Sequence, residues 1–230
     1  MWNGKMKAFT LSYDDGVGQD KRMIAILNKY GIKGTFNLNG SRHVSGTLGF
    51  PWLYQNEVVV ARMPIEDLQE TYVGHEIAMH AYNHAQLDLI TPEECRREIL
   101  VDRLVLTRFF GKEPVGFAYP CGTYNDTAVD ILRELGVKYA RGYRPNGTFD
   151  IPTDLLRWDC TCGGTSPELM NFAKKFVEMK PDKPQLFTIC GHSYGFDYQN
   201  KWAAFEKFCE FISGRDDIFY GTNAECLLGE

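Results

Sequence analysis

The feature that most constrains the fold of this chain is a regular alternation of short apolar runs with longer amphipathic segments. The short runs have the length and composition of buried strands, and the longer segments carry apolar residues at helical spacing. The strand-like runs cover residues 8–13, 33–38, 75–79, 115–119, 137–140, 155–158 and 185–190, with a short run after 218. The helix-like segments cover residues 18–30, 65–72, 91–110, 125–135, 166–180 and 199–212, with a short helix near the end.

Strands separated by helices indicate a parallel sheet with helices outside it, either a doubly wound sheet or a closed (β/α) barrel. Seven or eight strand–helix units in 230 residues favour the barrel. The chain is short for that fold, so a missing or distorted unit is expected. Because it contains neither a Pro/Gly/Ser-rich linker nor an internal repeat, we expect one domain over residues 1–230.

The composition excludes several classes of protein. A hydrophobic content of 44% with 24% charged residues fits a globular domain, and a net charge of −5 argues against a nucleic-acid partner. Apolar stretches fall short of the roughly 18 residues that a membrane span needs. The first residues lack the apolar core of a secretory signal, so we expect a cytoplasmic location without membrane attachment. The odd number of cysteines, seven in all, predicts reduced thiols.

Polar residues with metal-binding chemistry follow two of the predicted strands. Asp14 and Asp15 end the first strand, a pairing that is also common in solvated turns. Three of the five histidines fall within residues 75–84, and His80 and His84 are spaced so that one helical turn would direct both imidazoles to the same side. One carboxylate with two imidazoles leaves positions open on a divalent ion, as in catalytic rather than structural sites.

Two later strand ends add further reactive groups. Cys121 follows the strand at 115–119, and His192 follows the strand at 185–190. Because residues just past parallel strands collect on one rim of the sheet, these groups can converge with the aspartates and histidines. The convergence predicts an enzyme. A nucleophilic Cys121 explains less of the pattern than a metal site does.

Three motifs in order resemble those of the polysaccharide deacetylases of carbohydrate esterase family 4, which include chitin, peptidoglycan and acetylxylan deacetylases. Residues 11–16 (LSYDDG) resemble the family's T-F-D-D-G motif, and residues 34–39 (GTFNLN) resemble its A-T-F-F-L-N strand. Residues 74–84 (GHEIAMHAYNH) match G-H-E-I-x-x-H-x-x-x-H without a gap. The resemblance covers residues 8–197 and implies a distorted (β/α) barrel of about seven parallel strands.

The resemblance also implies a metal site and a proton-transfer pair. Asp15, His80 and His84 would bind a divalent ion, with Zn²⁺ favoured over Co²⁺, Ni²⁺ or Mn²⁺. Asp14 would be the general base and His192 the general acid. Two more roles complete the implied site: a backbone N–H that stabilises the oxyanion, and a carboxylate that orients the acid. They fall on Cys121 and Asp159.

One departure from the family pattern concerns the base. The third motif usually reads R-P-P-Y-G, and its arginine steadies the base, whereas this chain has Ala118 at that position and Cys121 in place of the aromatic residue. An opposite charge keeps a carboxylate ionised and ordered, so another cation is expected to substitute. Arg141 and Arg157, each near another strand end, are the two candidates.

The resemblance and the motifs together predict a metal-dependent hydrolase that removes N- or O-linked acetyl groups from a carbohydrate. A catalytically weak carbohydrate-binding homologue and a small-molecule amidohydrolase of the same fold are the alternatives. The aromatic candidates for stacking on sugar rings are Trp52, Tyr54, Tyr124, Tyr194 and Trp202.

Overall fold

The computed structural model describes residues 2–43 and 50–229, so most of the loop predicted around 41–49 lies outside the described residues. The strands are β1 Lys7–Asp14, β2 Thr35–Leu38, β3 Trp52–Tyr54, β4 Val58–Val60, β5 Glu76–Met79, β6 Gly116–Ala118, β7 Tyr139–Arg141, β8 Cys162–Gly163, β9 Gln185–Gly191 and β10 Ile218–Tyr220. The helices are α1 Asp20–Lys29, α2 Ile65–Thr71, α3 Pro92–Phe110, α4 Asp126–Glu134, α5 Leu169–Glu178, α6 Tyr194–Tyr198, α7 Trp202–Ile212 and α8 Asn223–Leu228.

Seven parallel strands form a half-barrel in the order β7-β6-β5-β2-β1-β9-β8, with helices around it. The predicted fold class, a distorted (β/α) barrel of about seven strands, is confirmed. The strand β10 pairs with the beginning of β1, on the edge that β2 occupies further along. This topology brings the carboxyl ends of β1, β5, β6, β7 and β9 to one rim.

Strand β1 is central, and all eight of its residues are buried. Its side chains alternate between two environments because successive residues of a strand point to opposite faces. Phe9, Leu11 and Tyr13 belong to the main hydrophobic core. On the opposite face, Ser12 and Asp14 contact the Arg141 guanidinium. The inner face of β1 is therefore polar where it approaches the rim.

The prediction of a strand at residues 155–158 is wrong. The Asp154 side chain accepts a hydrogen bond from the Leu156 N–H at 3.0 Å, and the Asp154 carbonyl accepts one from Arg157, which folds this stretch into a turn. Only Trp158 makes a bridge, to Arg141 of β7. The short strand β8, at Cys162–Gly163, pairs with β9 instead.

The antiparallel hairpin β3–β4 was not predicted from the sequence. Trp52 pairs with Val60, and Tyr54 pairs with Val58. Three residues join the strands, and two of them, Gln55 and Asn56, have φ of 53° and 60°, the left-handed conformation that tight hairpin turns use. Glutamine is an unusual residue at that position, which is why this turn lacks a clear sequence signature.

The prediction that all the cysteines are reduced is wrong for one pair. Cys160 and Cys190 form a disulfide, whereas Cys95, Cys121, Cys162, Cys209 and Cys226 are free. Pairing between the neighbouring chain segments brings the two cysteines together, because the N–H of Thr161 donates to the carbonyl of Thr188. Among the described residues, no helix combines the length and the apolar character needed to cross a membrane.

Candidate metal centre

Three potential metal ligands converge at the rim of the half-barrel. Asp15 directly follows β1, and His80 and His84 follow β5. One ligand atom from each of these residues lies within 4.8 Å of those of the other two. The set is therefore compact enough to surround a single ion.

The backbone turns sharply where β1 ends. Asp15 has a φ of 83°, which redirects its side chain relative to that of Asp14 and is uncommon for a residue other than glycine. Gly16 follows with a φ of 65°, and a Cβ atom there would lie 2.5 Å from Cε1 of the buried His43. The Asp-Gly sequence thus permits a turn that separates the two neighbouring carboxylates.

The predicted helical turn between His80 and His84 is wrong. Ala81 and His84 have φ of 60° and 61°, and the N–H of His84 donates to the carbonyl of Ala81 in a tight turn. This turn still brings the imidazole rings together, with centroids 4.8 Å apart. Two residues with a left-handed backbone conformation, between β5 and α3, therefore bring the two rings together, as the predicted helical turn would have done.

Two acidic residues of α3 hold this histidine turn in place. The buried carboxylate of Asp102 accepts hydrogen bonds from the N–H of His80 at 3.0 Å and of Gly40 at 2.6 Å. One turn earlier on the same helix, Glu98 accepts from the backbone and side-chain nitrogens of Asn83, both at 2.7 Å. The helix thus positions the backbone of the segment that carries both imidazoles.

The histidines are in the form that binds metals. Nδ1 of His80 lies 2.8 Å from the carbonyl oxygen of Ala118, so this nitrogen is the donor and Nε2 keeps its lone pair. Burial lowers the pKa of His80 to about 4, and it also lowers the pKa of His84. Both rings are therefore neutral near pH 7, as coordination requires.

Asp15 is held by two side chains: Arg62, which was not predicted from the sequence, and Tyr194, which was suggested only as a residue that stacks on sugar rings. Nη2 of Arg62 lies 3.1 Å from its Oδ1, and the hydroxyl of Tyr194 donates to its Oδ2 at 3.2 Å. Burial alone would raise the pKa of Asp15, but the Arg62 guanidinium and the nearby histidines more than offset this, so the pKa lies below its ordinary value. The carboxylate is ionised.

Asp14 faces a separate set of partners. Its Oδ1 forms an ion pair with Nη2 of Arg141, which is 1% exposed, and accepts a hydrogen bond from Asn37 at 2.8 Å. Of the two candidates that the sequence left open, Arg141 is therefore the cation at Asp14. Arg157 pairs with Asp126 and with a second surface aspartate instead.

His192 lies across the site from the other two histidines. Its Nε2 is 4.0 Å from Oδ2 of Asp14 and 3.8 Å from Oδ2 of Asp15. Its ring stacks on Tyr194 at a centroid distance of 4.9 Å and packs against Tyr143 at 5.6 Å. Both aspartates thus lie close to the imidazole of His192.

Asp159 contacts the segment beside His192 rather than the ring of His192. Its Oδ1 accepts from the N–H of Arg144 at 2.9 Å, and its carbonyl accepts from Asn146 at the same distance. These bonds fix the stretch that carries Tyr143, which packs on His192. Orientation of His192 by Asp159 stays a prediction, and the described contacts favour an indirect form of it.

Cys121 lies in a short 3-10 turn directly after β6 and is exposed. Partial desolvation of its sulfur raises the pKa of the thiol, and the charges of Asp15 and Asp88 raise it further. A thiol in this environment is a poor nucleophile, because the thiolate is the reactive form. Of its two suggested roles, the backbone one stays a prediction.

The aromatic candidates separate into two groups. Tyr194 joins the hairpin residues Trp52 and Tyr54, with ring centroids 6.2 and 4.7 Å away, in a cluster beside Asp15. Trp202 is buried in the core, and Tyr124 stacks on a core tyrosine. The first group alone borders the centre.

A family model describing polysaccharide deacetylases matches residues 3–140. This chain belongs to the polysaccharide deacetylase family. Among curated relatives, it is 28% identical over 153 residues to the uncharacterised protein YlxY of Bacillus subtilis, covering 66% of this chain and 40% of that protein. It is 30% identical over 129 residues to a chitin deacetylase of Pestalotiopsis, covering 56% of this chain and 39% of that protein. The chain thus spans about two fifths of the length of these relatives.

Solved structures of family members share this fold. A peptidoglycan N-acetylglucosamine deacetylase matches with a TM-score of 0.66 at 17% identity, covering 98% of this chain and 89% of that chain. A family 4 pseudoenzyme from Bacillus anthracis matches with a TM-score of 0.57 at 16% identity, covering 96% of this chain and 65% of that chain. The deacetylase fold thus occurs both with and without activity.

Proposed function

We propose that this family member is a metal-dependent hydrolase that removes N- or O-linked acetyl groups from a carbohydrate. One observation carries the proposal: Asp15, His80 and His84 converge within 4.8 Å, and two further groups suited to proton transfer face the same point. Family membership and the chitin deacetylase relative favour an acetylated saccharide as the substrate.

The donor set fits a divalent cation of the zinc type. One carboxylate and two neutral imidazoles match the three protein ligands of catalytic zinc sites, which keep a position open for water or substrate. The bond from His80 to the Ala118 carbonyl fixes the tautomer that presents Nε2. When bound there, such an ion supplies Lewis-acid polarisation of the acetyl carbonyl and makes water more acidic.

Asp14 is the base in this proposal. Its carboxylate is buried, and Arg141 and Asn37 both contact its Oδ1. Oδ2 faces His192 and remains available to accept the proton of an attacking water. Because Asp14 and Asp15 point to different partners, one can hold the cation while the other takes the proton.

His192 is the acid that protonates the departing amine or alkoxide. Its ring is 28% exposed, so it can contact a substrate entering from solvent, and Tyr194 and Tyr143 hold it on two sides. The backbone N–H of Cys121, at the end of β6, is the proposed donor to the oxyanion. Together these groups would take one proton from water and deliver one to the leaving group.

The activity is tested by measuring acetate released from N-acetylglucosamine oligomers and from acetylated xylan. We expect turnover with zinc, its loss with a chelator, and its return when zinc is added back. Asp14→Asn is expected to abolish acetate release while the protein stays folded, because the amide cannot accept the proton. Persistent turnover in the chelated protein would contradict the proposal.

Two alternatives give different results in the same experiment. Sugar binding without acetate release, unchanged in Asp14→Asn, would identify a carbohydrate-binding homologue, a type of family member that the pseudoenzyme structure illustrates. Release of amine from small amides without any acetate would identify an amidohydrolase.

A further inference from the structure

The rim of the half-barrel carries two buried carboxylates and two arginines, paired one to one. Arg141 pairs with the proposed base Asp14, and Arg62 pairs with the proposed metal ligand Asp15. In the first pair, Arg141 supplies the cation that the arginine of the family's R-P-P-Y-G motif would otherwise provide. The second pair places a permanent positive charge directly on a residue proposed to bind a divalent cation.

Arg62 is fixed in this position by several contacts. Its Nη1 donates to the backbone carbonyl of Asp15 at 2.6 Å and to Oδ1 of Asn39 at 2.9 Å, while Nη2 contacts Oδ1 of Asp15 at 3.1 Å. The guanidinium carbon lies 5.5 Å from the ring centroid of Trp52, on the β3–β4 hairpin. A backbone bridge pairs Arg62 with Val17, two residues after Asp15.

The charge of Arg62 is present at every physiological pH, because a guanidinium does not lose its proton in proteins. The side chain of Arg62 is 11% exposed and that of Asp15 is 7% exposed, so solvent screens the pair only partly. A divalent cation bound by Asp15 would share this carboxylate with the guanidinium and would be repelled by it. In the metal-free protein, the same guanidinium stabilises the ionised carboxylate.

We infer that Arg62 is an internal counter-cation of Asp15, which holds the ligand carboxylate in place in the metal-free protein and weakens the affinity of the centre for a divalent ion. This inference rests on the proposed metal site. The guanidinium of Arg62 and the divalent ion compete for the Asp15 carboxylate. The guanidinium keeps this carboxylate in position, but its charge repels the ion when the ion binds. The β3–β4 hairpin also contributes, since the ring of Trp52 packs on the Arg62 guanidinium.

The test is a zinc titration of the metal-free protein against a chromophoric chelator. Arg62→Met removes the charge and keeps much of the side-chain length, whereas Arg62→Lys keeps the charge. Arg96→Met is the matched control, because it removes an exposed cation whose partner is Glu134 on another helix rather than Asp15. Circular dichroism and thermal melting establish that each variant folds.

We expect Arg62→Met to bind zinc about tenfold more tightly than the wild type, equivalent to about 1.4 kcal/mol. Arg62→Lys and Arg96→Met should stay within about threefold of the wild type, because both keep the cation beside Asp15. Metal-free Arg62→Met should melt at a lower temperature than the metal-free wild type, because Asp15 loses its counter-cation.

Equal or weaker zinc binding by Arg62→Met would overturn the inference, even if the wild type binds zinc normally. An unchanged melting temperature of metal-free Arg62→Met would overturn the stabilising half of it. Failure of the wild-type protein to bind zinc would instead overturn the proposed function, and the inference with it.

Discussion

Asp14 is held in place by a buried ion pair and a hydrogen bond. Arg141 and Asn37 reach its Oδ1 from β7 and β2, and the Asp14–Arg141 pair is almost fully excluded from solvent. A buried ion pair contributes little net stability, yet removal of one partner leaves an uncompensated charge. Asp14 therefore depends on Arg141 for its position and for a neighbouring counter-charge.

Arg141→Met is expected to lower acetate release by about 100-fold while zinc content is unchanged, because the proposed base loses its partner and the proposed metal ligands keep theirs. The free energy of unfolding should fall by about 3–5 kcal/mol, as for other broken buried pairs. Urea unfolding and kinetic assays measure the two effects.

Arg157→Met is the matched control for this prediction. Arg157 was the other arginine that the sequence suggested, and it pairs with surface aspartates. We expect little change in stability, zinc content or turnover. A loss of turnover in Arg157→Met that equals the loss in Arg141→Met would contradict the role given to Arg141.

Asp20 is a further buried acidic residue, five positions after Asp15. Burial raises its pKa to about 7, although hydrogen bonds from Ser193 at 2.5 Å and Tyr72 at 2.6 Å oppose the shift. Because the unfolded chain ionises near the ordinary value, the folded protein binds the extra proton between about pH 4 and 7. This contribution to stability is present at low pH and is lost as pH rises towards 7.

Asp20→Asn removes this titration. Between pH 5 and 7, we expect the wild type to lose about 1.4 kcal/mol of unfolding free energy per pH unit relative to Asp20→Asn, and no further difference to develop above pH 8. Urea unfolding of both proteins at pH 5, 6, 7 and 8 measures the difference, in which groups common to both proteins cancel. Parallel curves over the whole range would contradict the shifted pKa.

At the scale of elements, helix α3 links the histidine turn to the barrel. Asp102→Asn is expected to lower the unfolding free energy by about 1–3 kcal/mol, because an amide nitrogen would face one of the two backbone N–H donors. Zinc binding should also weaken, since the N–H of His80 is one of those donors. Calorimetric titration with zinc and urea unfolding measure the two effects.

Asp126→Asn is the control for this helix variant. Asp126 has a side chain that is 84% exposed, at the start of α4, and contacts neither histidine segment. It should leave zinc affinity unchanged. Loss of stability in Asp102→Asn with unaltered zinc affinity would show that α3 supports the fold without positioning His80.

The elements that the sequence failed to predict share a physical cause. The hairpin β3–β4 has strands of three residues joined by Gln55, Asn56 and Glu57, so neither periodicity nor turn chemistry distinguishes it. Arg62 follows directly after this region, and its role depends on the contact with Asp15 across the chain. Long helices such as α3, with its Thr91 capping box, were predicted because their signals are local.

At the scale of the whole molecule, the disulfide between Cys160 and Cys190 joins residues 30 apart in sequence, the first just before β8 and the second within β9. We expect reductant to lower the unfolding free energy of the wild type by about 2–4 kcal/mol. It should have no effect on Cys160→Ala, which cannot form the bridge. Mass spectrometry of unreduced peptides identifies the linked pair, and equal sensitivity of both proteins to reductant would contradict the bridge.

The expected cytoplasmic location stays a prediction, and the disulfide makes it testable. Disulfides persist in oxidising compartments and are rare in the cytosol. Thiol labelling in rapidly quenched cells, followed by fractionation, measures both properties. A cytoplasmic protein should yield Cys160 and Cys190 as labelled thiols.

The barrel architecture followed from the alternation of strand-like and helix-like segments, because burial imposes that pattern along the whole chain. The convergence of Asp15 with His80 and His84 followed from the rule that parallel strands end at one rim. The sequence did not reveal which charged residues pair with each other inside the protein. Arg141 and Arg157, for example, were both candidates for the partner of Asp14. Such pairings depend on distances that only the assembled barrel defines.

In the proposed centre, Asp15, His80 and His84 hold one divalent ion and Asp14 does not bind it. Zinc content per chain, measured by mass spectrometry after reconstitution and gel filtration, tests it directly in the wild type, His80→Ala and Asp14→Asn. We expect about one zinc per chain in the wild type and in Asp14→Asn, and almost none in His80→Ala. Full zinc content in His80→Ala, or its loss in Asp14→Asn, would contradict it.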